Sequence, residues 1–76
     1  MIDVKAAISL ATDFLKSVYP INGTVRLEEV VFKEDPPAGW LITLSFLDFP
    51  SREYKRLDVD GDTGEVRSMV IRQLAH

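Results

Sequence analysis

DVKAAISLATDFLKSVYPINGTVRLEEVVF, residues 3–32, decides the fold, because the hydrophobic period changes within it. Up to Val18 the apolar residues Val4, Ala7, Ile8, Ala11, Phe14, Leu15 and Val18 recur at spacings of three and four, which lays one stripe along a helix. Asp3 stands where a carboxylate can accept the orphan amides of the first turn, and Lys16 suits the negative end of the helix dipole. Lys5, Ser9, Thr12, Asp13 and Lys16 make the opposite face polar. Pro20 bars continuation and Asn22-Gly23 turns the chain. From Thr24 the period becomes two, and residues 24–34 are rich in β-branched and apolar types, which predicts a first strand.

The rest of the chain repeats that second pattern. The breaker Asp35-Pro36-Pro37-Ala38-Gly39 separates a second strand over 40–47, in which Trp40, Ile42, Leu44 and Phe46 share the greasier face. A turn at Asp48-Phe49-Pro50-Ser51 leads into a third strand over 52–60, with Leu57 and Val59 inward. Gly61-Asp62-Thr63-Gly64 leads into a fourth over 65–72. Strands joined by short turns are sequential neighbours, so the expected fold is α+β: one N-terminal helix on a four-stranded antiparallel meander, two layers in a single domain over 1–76. The first strand has an ambiguous register, since Leu27 and Val31 point one way and Val30 and Phe32 the other.

Composition excludes several functions. Twelve acidic and nine basic residues are interleaved without a run of either sign, so no basic stripe suits nucleic acid. The longest apolar stretch, 40–47, is broken by Thr43 and Ser45 and falls far short of the roughly 20 residues of a membrane helix. No secretory signal is visible at the N-terminus, which suggests a cytoplasmic protein, or the mature part of a secreted one. There is no cysteine, and the lone histidine, His76, is the last residue, so nucleophile–base pairs and histidine or thiolate metal sites lack raw material. Glu28 and Glu29 are adjacent on a strand, where alternation would send them to opposite faces. A non-enzymatic protein without a cofactor is therefore expected.

Residues 58–65, Asp-Val-Asp-Gly-Asp-Thr-Gly-Glu, resemble a calcium loop only in their alternating carboxylates. With Asp58 as the first ligand, Thr63 occupies the required glycine position and Met69 replaces the closing glutamate. A hairpin turn, with Asp and Thr bonding local amides and Gly64 in a left-handed conformation, explains the segment better. Trp40 fits a residue packing over the end of the core better than a binding hot spot. Arg52, Tyr54 and Arg56 share one side of the third strand, and pairs such as Asp58 with Arg67 read as cross-strand ion pairs.

The helix segment Ala7-Ile-Ser-Leu-Ala11 and the closing hairpin Leu57-Asp-Val-Asp-Gly-Asp-Thr-Gly-Glu-Val66 resemble a PepSY-type domain, whose closing turn Val59, Asp60, Thr63, Gly64, Glu65 and Val66 match. The resemblance implies a non-catalytic domain. Such domains occur in propeptides of secreted metallopeptidases and in membrane-associated proteins, and peptidase inhibition has been proposed for them. Here no export signal or attached peptidase is visible, and the matching residues form a turn and two core valines.

One helix can cover only part of a sheet. The helix-free face is therefore expected to be oily, with Leu41, Leu47, Met69 and Ile71 as the binding residues. The expected function is a protein-binding or inhibitory module acting through that face or through an edge strand. A self-associating homodimer of the immunity or antitoxin kind, using the same face, is the alternative, and a small-ligand or calcium binder is a remote third.

Overall fold

The computed structural model describes residues 1–71. It has the expected order: α1 (Val4–Val18), β1 (Arg26–Lys33), β2 (Gly39–Asp48), β3 (Ser51–Asp60) and β4 (Val66–Ile71), with the strands antiparallel in the order β1-β2-β3-β4. His76, and Arg72 at the expected end of the fourth strand, lie outside the described residues.

Asp3 caps α1 by accepting the Ala6 amide at 2.8 Å. The helix ends at Tyr19, whose extended backbone still donates its N–H to the Leu15 carbonyl. The stripe meets the sheet as its spacing requires: Ala7, Ala11 and Leu15 are fully buried against Ile42, Leu44, Phe46, Leu57 and Val59. Two small residues among those three let the helix backbone approach closely, and Leu15 fills the space beyond. Trp40 packs on this core with its ring against Phe32, and its indole N–H points at the Ile2 carbonyl, 3.3 Å away.

Two β-bulges set the faces. In β1 the register slips between Leu27 and Glu29, so Leu27 lies opposite Leu44, while Val30 faces Ile42 and Phe32 faces Trp40. Glu28 is the extra residue, and it reverses the alternation. The ambiguity of the first strand is thereby resolved: Leu27, Val30 and Phe32 belong to the helix side, and Val31, opposite Leu41, belongs to the other. The same bulge overturns the expected separation of Glu28 and Glu29. Glu28 bonds Ser45 and Glu29 sits opposite Thr43, both on the helix-free side.

In β4 the slip falls beside Arg67. Val66 pairs with Val59, Ser68 with Asp58, Met69 with Leu57 and Ile71 with Lys55. Counting outward from Val66 by simple alternation would send Met69 and Ile71 to the helix-free face. The bulge sends both to the helix side instead, where Met69 packs on the core.

Candidate functional site: the helix-free face and the free edge of β1

The structure divides the four candidate binding residues. Leu41 and Leu47 are on the helix-free face, Leu41 half-buried and Leu47 60% exposed. Met69 and Ile71 are not, for the reason just given, and no patch joins the four. Thr43 and Ser45 separate the two leucines, and both are covered by neighbouring side chains to 1% and 0% exposure.

The expected oily face is instead charged. Across the sheet, one row runs Arg26, Ser45, Tyr54; the next Glu29, Thr43, Arg56, Val70; and the next Val31, Leu41, Asp58, Ser68. Several of the charges on this face engage one another. The Glu28 carboxylate accepts from Ser45 Oγ and Arg26 Nε, and Arg52 donates to Ser45 Oγ at 3.0 Å. The Ser45 hydroxyl first, and then Arg26, hold the Glu28 carboxyl below the usual carboxylate range. On the other side Arg67 reaches Asp58 at 2.7 Å and Asp60 at 3.4 Å, and Lys33 approaches Asp58 at 3.7 Å. The expected Asp58–Arg67 pair is thus present. Such pairs contribute only about 0.2–1 kcal/mol each where water reaches them, but together they leave little unbalanced charge for a ligand.

The acidic turn is built as a hairpin. Asp60 Oδ1 accepts the amides of Asp62 at 2.8 Å and Thr63 at 3.0 Å, Thr63 Oγ1 accepts the Glu65 amide, and Gly64 has φ +76°. The Thr63 and Asp62 amides lower the Asp60 carboxyl pKa. Asp58 and Asp60 are committed to arginine and backbone. Among the described residues no group of three or more His, Asp or Glu side chains could hold a metal ion.

Uncovered apolar surface occurs where the helix stops. α1 packs on β2, β3 and β4, and its backbone does not come close to that of β1. On the helix side of β1 this leaves Leu27 45% and Phe32 41% exposed beside Val30, and Val31 is 46% exposed on the other face. β1 is also an outer strand, so one row of its backbone amides and carbonyls has no strand partner among the described residues. The reach of one helix was read correctly from the sequence; the side of the sheet on which it falls short was not.

A second feature carries no sequence signal. Lys55 is only 5% exposed, on the helix side of β3, with Nζ 5.2 Å from the centre of the Tyr19 ring. It lines a cavity of about 100 Å³ with Tyr19, Ile21, Phe46 and Glu53. That volume suits a few waters rather than a substrate-sized molecule, and the ammonium and carboxylate in it do not select one sign of ligand. No helix among the described residues is long and apolar enough to cross a membrane. Compared with known proteins, the chain matches no family model, no curated protein and no solved structure.

Proposed function

We propose that this chain is a non-catalytic, PepSY-like protein-binding module, acting in the cytoplasm, that takes an extended segment of its partner along the free edge of β1. One observation carries this reading: β1 is an outer strand with no second strand partner among the described residues, and it is flanked on both faces by exposed apolar side chains, Leu27 and Phe32 on one and Val31 on the other. Main-chain bonds to such an edge supply affinity, and alternate side chains supply selectivity. The helix-free face is not the favoured surface, because Arg26, Glu28, Lys33, Asp58, Asp60 and Arg67 on it already pair with one another.

The test is affinity capture from source-cell lysate with three baits read by mass spectrometry: wild type, Val31→Lys and Leu47→Lys. A partner retained by wild type and Leu47→Lys but lost by Val31→Lys supports the edge. A partner lost only by Leu47→Lys places recognition on the helix-free face and refutes the edge reading.

A further inference from the structure

We propose that the occupant of the β1 edge is a second copy of this chain, paired antiparallel about Val31; this rests on the edge reading above and specifies its partner. Two copies related by a two-fold axis perpendicular to the sheet can pair only if each residue meets one that points to the same face. Glu29, Val31 and Lys33 point to the helix-free face and Val30 and Phe32 to the helix side, so the axis must pass through a residue, not between two.

Three such centres, Val30, Val31 and Phe32, keep at least one flanking pair within the regular part of the strand, Glu29–Lys33. Centred on Val30, the bulge at Leu27–Glu28 would fall against Phe32 and Lys33. Centred on Phe32, Glu29 would meet the like-charged Asp35, beyond the strand end at Lys33. Centred on Val31, every pairing is favourable. Glu29 of each copy faces Lys33 of the other, whose ammonium lies 3.7 Å from Asp58 of its own chain and would be shared between the two carboxylates; Val30 faces Phe32, and Val31 meets its own copy.

The same register accounts for the uncovered surface. Val30 and Phe32 lie away from the α1 backbone, so pairing covers their part of the strip that the helix leaves bare, and Leu27 stays beyond the paired segment. Because α1 sits over β2, β3 and β4, the two helices stand clear of the joint, and the sheets of both copies run on as one. The bulge confines pairing to Glu29–Lys33, so the dimer is weak and sensitive to salt.

The experiment is sedimentation equilibrium of the whole chain at low ionic strength from about 10 µM to about 1 mM, the range in which small interfaces dissociate. Wild type is expected to dimerise, and Glu29→Lys to weaken the dimer at least about tenfold by opposing like charges twice. The double variant Glu29→Lys/Lys33→Glu should return to within about threefold of wild type. Val31→Lys, which sets two ammoniums together at the axis, should be monomeric and melt like the dilute wild-type monomer; if it does not fold, the charge exchange alone decides. A wild type that stays monomeric throughout overturns the self-pairing but leaves the edge available to another protein. A dimer indifferent to all these variants shows that association occurs elsewhere and removes the edge from it. A single variant that weakens the dimer without rescue by the double overturns the register.

Discussion

Gly64→Ala tests the construction of the closing hairpin, because two separate features act on that residue. Gly64 has φ +76°, where a residue with a Cβ costs about 1–2 kcal/mol. A Cβ there would also lie 2.9 Å from Leu10 Cδ1. Leu10 is 40% exposed and that atom ends a flexible side chain, so rotation relieves the contact and adds little. Against these costs, alanine restricts the unfolded chain and returns about 0.4–1 kcal/mol. The net is a loss of about 1 kcal/mol, which lowers Tm by about 4–8 °C in a domain of this size. Gly23→Ala is the control: nothing lies within 4 Å of its added Cβ and its φ is not positive, so only the unfolded-state effect remains and Tm holds or rises. Gly64→Asn should lose less than Gly64→Ala, since asparagine tolerates the left-handed region. All four proteins are melted by circular dichroism at one dilute concentration, which holds any association constant. If Gly64→Ala melts at or above wild type, backbone conformation is not what fixes glycine in this turn.

Other perturbations probe other layers. Leu44→Ala empties a site that is 1% exposed beneath α1; the loss of about 2–5 kcal/mol rivals a total stability on the order of 5 kcal/mol, so a cooperative melt within a few degrees of wild type would remove Leu44 from the core. Thr43 Oγ1 is buried without a hydrogen-bond partner among the described residues, so Thr43→Val should stabilise by about 1 kcal/mol, read as a higher urea midpoint at unchanged m; a lower midpoint would mean the hydroxyl is satisfied. The carboxyls of Glu28 and Asp60 are depressed in the folded state, so their stabilisation is complete above the ordinary carboxylate pKa of about 4 and is lost as pH falls through the lower folded values. Urea midpoints should therefore hold from pH 7 to about 5 and drop towards pH 3, with a shallower drop in Glu28→Gln and Asp60→Asn; parallel curves in all three would discard these carboxyls as the cause.

The element order, the helix stripe, the core residues Ile42, Leu44, Phe46, Leu57 and Val59, and the hairpin at 58–65 could be read from the sequence. Each depends on a local rule: helical spacing, alternation, or the backbone preference of Gly64 after Asp60. The surface residues were less legible because face assignment adds up along a strand, and a single inserted residue reverses everything beyond it. Leu41 and Leu47 precede no such insertion and were placed correctly; Met69 and Ile71 follow Arg67 and were not.

The chain's own sequence therefore determined one amphipathic helix, strands joined by short turns, and a composition with no cysteine and a single histidine at position 76, since these follow from residue types and their spacing. Only the tertiary structure decided which side chains share a surface. The bulges at Glu28 and Arg67 arise from pairing between strands, and the bare strip on β1 arises from where α1 comes to rest across the sheet. Both are set by contacts between distant segments, which the period of any single segment does not encode.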